Sequence, residues 1–214
     1  MGSVTRAASL IAAAALALLP GCGWFKPAAP EHFENQKTVI ANFSSPDNTL
    51  NTLDLALEDK GSTNGLSVYT SAFADTASDA KAFHAFFDPQ TLNRMAGLGV
   101  LIPTDWDLQH ESAFYSKLVT VIIPLSSHVD FFWKEDFTQG EDERRPEYAI
   151  LHREYSLLAT QSDSTRTLVR GLATIRIERM SPTRWAVVTW DDRELGDAHR
   201  DLGEISMGER RLEP

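Results

Sequence analysis

The sequence predicts an α+β domain in which N-terminal helices pack on a strongly curved antiparallel sheet. Two observations carry this. Helix start signals crowd the first half, led by Ser44-Ser45-Pro46-Asp47-Asn48, with a serine cap, proline in the first turn and an acid beside it. The second half instead holds long runs of period-two alternation joined by short polar turns, the pattern of hairpin-linked strands. Segregated helices and strands give helices on one face of an antiparallel sheet.

After the Ser45-Pro46 start, Leu50, Leu53 and Leu57 recur at helical spacing, and Lys60-Gly61 supplies a stop. Leu66, Tyr69 and Phe73 suggest a second short helix. Ala82-Phe83-His84-Ala85-Phe86-Phe87 is too short and apolar for periodicity to separate strand from helix. Asp88-Pro89 ends it and starts a short helix through Leu92 and Met95, broken by Gly97-Leu98-Gly99. Thr104 caps a further helix, with Asp107 three residues on; its buried stripe is Trp106, His110, Phe114 and Leu118. From there the chain reads as sheet. Val129, Phe131 and Trp133 alternate with His128, Asp130 and Phe132. An acidic loop, Gln139 to Glu143, precedes Tyr148 to Thr160, and Ser162-Asp163-Ser164 turns into Leu168 to Met180. In that strand Val169, Gly171, Ala173, Ile175 and Ile177 make one face. Ser181-Pro182-Thr183 leads into Arg184 to Asp192. These last strands run about 10 to 13 residues, longer than the usual five or six, which predicts a bent meander. Residues 195–214, charged and poor in large apolar side chains, read as a frayed tail.

The N-terminus carries a different signal. Arg6 is followed by an apolar run from Leu10 to Leu19 and then by Leu19-Pro20-Gly21-Cys22, which holds the only cysteine of the 214 residues. A short cationic region, an apolar stretch and a small-residue cut site form an export leader. The run is about half of the roughly 20 residues a spanning helix needs. The tetrad resembles the lipobox of bacterial lipoproteins, in which a peptidase cuts before the cysteine and the new terminus is acylated. That resemblance implies residues 1–21 as signal peptide, Cys22 as lipid carrier, and residues 22–44, with Pro27-Ala28-Ala29-Pro30, as a flexible tether. It also implies attachment to the bacterial cell envelope, with Gly23 after the cysteine favouring an outer membrane facing the periplasm. Each buried lipid methylene contributes about 0.8 kcal/mol, and more than one chain makes the anchor durable.

Cutting after residue 21 leaves 19 basic and 30 acidic residues, a net charge of −11. Such a surface excludes nucleic-acid binding through charge. With its thiol acylated, the chain would have neither a disulfide nor thiol chemistry. No His-Glu-x-x-His pair, phosphate loop, dinucleotide fingerprint or Gly-x-Ser-x-Gly elbow occurs, so no metal or cofactor is expected. Gly140 to Glu143 lacks the alternating ligands of a calcium loop.

From Ser45 to Glu194 the order of elements is similar to the nuclear transport factor 2-like superfamily, which includes ketosteroid isomerase and the SnoaL-like proteins. Ser45-Pro46-Asp47-Asn48-Thr49-Leu50, Phe114-Tyr115-Ser116-Lys117-Leu118, Gly171-Leu172-Ala173-Thr174-Ile175 and Trp185 to Asp192 carry the likeness. It implies a cystatin-like cone with a pocket in its mouth, on residues 45–194. Isomerases, dehydratases, ligand binders and assembly subunits share that fold, so it assigns no chemistry.

Tyr69, Trp133, His152, Tyr155 and Trp190 are the candidate pocket residues. The tryptophans Trp133, Trp185 and Trp190 either line a cavity or form core. Trp185 and Trp190 differ by an odd number of positions, so a regular strand turns them to opposite faces. His152 and Glu154 share a face, either looking into the cone as an acid–base pair or lying on a solvated surface with Arg153 and Arg176 as ion partners. The resulting expectation is a membrane-anchored, non-catalytic domain that binds a small apolar ligand or a partner protein. The alternatives are an isomerase- or dehydratase-like enzyme using a pocket carboxylate or His152, and an assembly subunit that forms a homodimer through its sheet.

Overall fold

The computed structural model describes residues 38–59, 62–123, 127–161 and 164–214. The leader, Cys22, residues 22–37 of the expected tether, Lys60-Gly61 and Ser162-Asp163 lie outside the described residues. The helices come first: α1 (Pro46–Glu58), α2 (Gly65–Ser71) and α3 (Thr76–Asp79), then strand β1 (His84–Phe87), α4 (Pro89–Gly97) and α5 (Leu108–Lys117). A π-turn at Leu118–Ile122 ends α5. The sheet strands β2 (His128–Glu135), β3 (Glu143–Arg144), β4 (Tyr148–Gln161), β5 (Ser164–Ser181) and β6 (Arg184–Arg193) follow, and α6 (Asp197–Arg200) and α7 (Met207–Leu212) close the chain.

Helix α1 forms as its start signal requires. Ser45 Oγ accepts from the Asn48 backbone N–H at 3.1 Å, satisfying one of the unpaired donors of the first turn. Leu50, Leu53 and Leu57 bury one stripe against the sheet, each burial worth about 1.5–3 kcal/mol. Helix α5 starts later than its sequence suggests. Asp107, not Thr104, is the cap, accepting from His110 N–H at 3.0 Å. Trp106 therefore stands outside the helix, where its carbonyl accepts from Ala85 N–H at 2.9 Å. The buried stripe becomes Glu111, Phe114, Tyr115 and Leu118, and His110 is partly exposed.

The sheet runs β1-β6-β5-β4-β2, with β3 also on β4, and curls into a half-barrel that the helices cover. The meander of β2, β4, β5 and β6 is antiparallel. The undecided apolar run contributes β1, which joins β6 in parallel. Two register shifts fall within the body of the sheet and bend it; a third, between Arg179 and Ser181, lies at the β5–β6 turn. One lies between Leu157 and Leu158 of β4, against Leu168 of β5. The other sets Arg176 opposite Thr189 but Ile177 opposite Val187, leaving Val188 as an extra residue in β6. An extra residue resets side-chain alternation. Hence Trp185, Val187, Trp190 and Asp192 oppose Arg179, Ile177, Ile175 and Ala173, and both tryptophans are buried. The expected separation of the two indoles onto opposite faces fails for this reason.

Two boundaries also differ from expectation. Residues 38–44 do not hang free as tether. Val39 is buried, its backbone N–H donates to Asn64 Oδ1 at 3.1 Å and its carbonyl accepts from Asn64 Nδ2 at 2.9 Å, and Trp185 N–H donates to Phe43 O at 2.8 Å. Residues 195–214 are not frayed: Met207 and Leu212 are buried in the common core, and Arg211 is buried as well. The domain thus extends to Pro214.

Candidate functional site

Four of the five candidate residues converge inside the half-barrel. Tyr155 on β4 and Trp190 on β6 are buried, 6.0 Å apart as ring centroids. Trp133 on β2 lies 5.5 Å from Trp190 and 6.2 Å from Tyr155. Tyr69 on α2 closes the helical side, stacked on Tyr115 at 4.4 Å. His152 is excluded. It lies on the other face of β4, one position from inward-facing Leu151 and Arg153, with its ring 3.2 Å from Thr174 Oγ1. Glu154 shares that outer face but pairs with Arg170 at 2.6 Å. The expected partners are engaged elsewhere. Arg153 points inward and holds Asp142 through two contacts of 2.8 Å, and Arg176 binds Glu178. Asp142 is therefore a structural partner rather than part of a merely solvated turn.

The aromatic residues surround charge. Glu111 and Arg211 are both 0% exposed and meet in a forked pair, Arg211 Nε to Oε2 at 2.9 Å and Nη2 to Oε1 at 2.7 Å. Tyr69 O–H donates to Glu111 Oε1 at 2.6 Å and Trp106 Nε1–H to Oε2 at 2.8 Å. The Arg211 guanidinium lies 4.6 Å from the Trp190 ring centre and 5.6 Å from that of Phe114, a cation held over two aromatic faces. A second centre adjoins it. Asp192 Oδ1 accepts from Tyr155 O–H at 2.5 Å and Trp190 Nε1–H at 3.3 Å, and Oδ2 accepts from Gly208 N–H at 2.7 Å. Met207 N–H donates to the Tyr155 oxygen at 2.7 Å.

Burial sets the proton affinities here. It pushes Tyr69 and Tyr155 far above the phenol range, assisted by the adjacent carboxylates of Glu111 and Asp192. Burial also raises Asp192, against the opposing pull of Arg211 and the Tyr155 hydroxyl. For Arg211 burial works the other way, and the charge of Glu111 outweighs it, holding the guanidinium protonated. The titratable groups pair with one another, Arg211 with Glu111 and Tyr155 with Asp192, while Arg211 Nη1 and Trp133 Nε1 have no hydrogen-bond partner among the described residues. The arrangement can hold a cation against a carboxylate; it presents no open acid or base.

Sequence reasoning missed Glu111 and Arg211, and read Trp106 only as part of a helix's buried stripe. Glu111 carried a usable signal, since the buried positions 114, 115 and 118 extend back by helical spacing to 111. Arg211 carried none, lying in a charged stretch with few apolar neighbours.

Two open clefts flank this filled interior. One, about 570 Å³, is of mixed polarity, bounded by Asp75, His84, Asp105 and Asp107 together with Phe83 and Leu108. The other, about 350 Å³, lies on the outer sheet face between Phe132, Glu154, Leu158 and Arg170. Among the described residues no cluster of metal-ligating side chains occurs, and no helix is long and apolar enough to cross a membrane.

No protein-family model matches the chain, and no curated protein matches it in sequence. Solved structures share its layout. An NTF2-like protein with a cystatin-like fold from Novosphingobium aromaticivorans overlaps 72% of this chain and 83% of its own, at 8% identity and a TM-score of 0.47. A nuclear transport factor 2 (NTF2-like) superfamily protein from Salmonella enterica covers 70% and 87%, at 8% identity and 0.45. An NTF-2 like protein of unknown function from Shewanella oneidensis covers 67% and 92%, at 13% identity and 0.41. The likeness is one of element arrangement; the fold class itself rests on the strand order and register above.

Proposed function

We propose that this chain is a lipid-anchored protein of the bacterial cell envelope whose cone domain is non-catalytic and binds a partner protein. The observation that carries the binding reading is the seat of Arg211. The volume in which a pocket enzyme would hold substrate is filled by the chain's own residues 206–212, and its titratable groups are spent on one another. A small apolar ligand gains no support from the two open clefts, both of which are walled in part by charged side chains. The outer sheet face suits a protein better. Phe132 is 50% exposed there, and Phe137, just beyond β2, is 72% exposed; β2 ends the sheet with no further strand beside it among the described residues. The anchor reading rests on Leu19-Pro20-Gly21-Cys22.

Expression of the full chain in a bacterial host tests both parts. The membrane fraction should contain a product starting at Cys22 with the added mass of acyl chains, and Cys22→Ser should move it to the soluble fraction. An unacylated wild-type product overturns the anchor. Native mass spectrometry of the detergent extract should show a protein complex, lost in Phe132→Glu. A copurified small molecule with no protein overturns the partner reading.

A second reading is favoured by one observation. A buried acid of raised proton affinity beside a tyrosine, Asp192 with Tyr155, is the donor pair that the isomerase resemblance implies. It would require residues 206–212 to leave the cone, since Met207 and Gly208 occupy the hydrogen-bonding positions on that pair.

A further inference from the structure

The geometry points to a guanidinium-binding site inside the cone, in which Arg211 is the resident ligand and which takes a guanidinium group from outside when the C-terminal segment swings away. The inference rests on the binding reading above but not on the lipid anchor.

The site has the parts such recognition needs. A carboxylate presents both oxygens to the fork of one guanidinium, at 2.9 and 2.7 Å, the bidentate pairing that distinguishes guanidinium from ammonium. That carboxylate is held from behind by Tyr69 O–H and Trp106 Nε1–H, so its orientation belongs to the cone rather than to the arginine. The Trp190 and Phe114 rings add stacking surfaces. Glu111, Tyr69, Trp106, Phe114 and Trp190 all lie on α2, α5, β6 and the segment before α5, and none belongs to residues 195–214. The cone supplies the site; the tail supplies only the occupant.

The occupant is attached by ion pairs, by hydrogen bonds such as Met207 N–H to Tyr155 and Gly208 N–H to Asp192, and by the buried Met207 and Leu212, not by pairing as a strand of the sheet. Arg94 and Arg200 bridge Glu194 and Glu209 at 2.5–2.9 Å. Of the eight buried side-chain polar atoms without a hydrogen-bond partner among the described residues, five belong to this segment or its anchors: Arg94 Nε, Glu194 Oε1, Arg200 Nε, Arg210 Nε and Arg211 Nη1. Incompletely paired buried charge is costly, and these unpartnered atoms offset part of the stability that burial of Met207 and Leu212 gives the docked segment. Glycines at positive φ, Gly196 (97°) and Gly203 (79°), bracket α6 and provide the turns about which it can swing. Arg211 Nη1 has no acceptor among the described residues.

The test uses the full-length chain. Arg211→Ala vacates the seat, and ethylguanidinium should then raise its thermal midpoint by about 4 °C at ten times its dissociation constant. Ethylammonium at equal concentration should give no such rise, and Arg211→Ala with Glu111→Gln should respond to neither. Equal responses to the two cations, or none, overturn the site. Should Arg211→Ala fail to fold, hydrogen exchange on the wild type decides. Millimolar acetyl-arginine amide should speed exchange of the Met207 and Gly208 amides several-fold over acetyl-lysine amide, leaving Ile175 protected; equal rates overturn the inference. Tighter binding of a Gly-Arg-Gly tripeptide than of ethylguanidinium assigns the source to a protein, and the reverse order to a small metabolite. Loss of the copurified partner with these responses intact would sink the partner reading alone.

Discussion

Glu111 and Arg211 are a pair that neither member can leave without cost. Removing one partner strands a buried charge, so Glu111→Ala should lower stability by about 3–5 kcal/mol. Replacing both by apolar residues of similar volume, Glu111→Leu with Arg211→Met, should recover most of that, because the desolvation of both ions is relieved together. Urea denaturation midpoints check both outcomes, and a double variant no better than the single would refute the account. These residues also show what single positions disclose. Tyr69, Tyr155 and Trp190 were legible as aromatic groups on core faces. Glu111 was legible by its helical spacing from the buried stripe but not by its chemistry, because a glutamate in the first turn of a helix reads as solvated until its buried partner is known, and that partner is 100 positions away. His152 was misplaced among them for lack of a reference face: period two fixes which residues agree, not which side is inside.

At the scale of elements, β5 is fitted to its neighbours by an absence. A Cβ at Gly171 would lie 2.8 Å from the Arg193 carbonyl oxygen and in collision with the Tyr155 phenol. Gly171→Ala should therefore cost about 3 kcal/mol through forced repacking. Gly97→Ala, where an added Cβ meets nothing within 4 Å, should be neutral or stabilising by up to about 1 kcal/mol. Parallel thermal melts separate the two; equal effects would show that the crowding at Gly171 is not decisive. Helix α1 and the long strands were readable from caps and alternation, which are local. The start of α5 moved because Asp107 outcompetes Thr104 as a cap and because Trp106 is needed opposite Ala85, a contact no local window contains. The parallel placement of β1, the strap at residues 38–44 and the docked α7 are likewise tertiary choices. Each rests on a few long-range hydrogen bonds rather than on a periodic pattern.

The molecule as a whole carries opposing responses to pH. Burial pushes Asp142, Glu178, Asp79 and Glu194 upward, but hydrogen bonds from Arg153, Lys81, Arg184 and Arg94 outweigh it and hold them below their ordinary values. Such groups stabilise the fold above about pH 4 and lose that contribution as pH falls through their lowered values. Asp54 acts in reverse. Burial first, and the Glu58 charge second, push it up to about 7. Its contribution is full below about pH 4 and is lost as pH rises toward 7. The thermal midpoint should therefore peak near pH 5, and Asp54→Asn should flatten the alkaline limb, gaining about 1 kcal/mol at pH 8 after allowance for partial solvent screening. Melts from pH 3 to 9 on both proteins check this, and unchanged limbs would refute the assignment. Among these groups only the overall acidity was visible in advance; proton affinities follow from neighbours. The surplus residue at Val188 has a consequence of its own for how this chain can change. Its β6 strand can absorb many exchanges of one side chain for another, yet losing a single codon there would put the indole at 190 and the carboxyl at 192 out of phase with the interior. For this strand, heredity by substitution is open and heredity by deletion is closed.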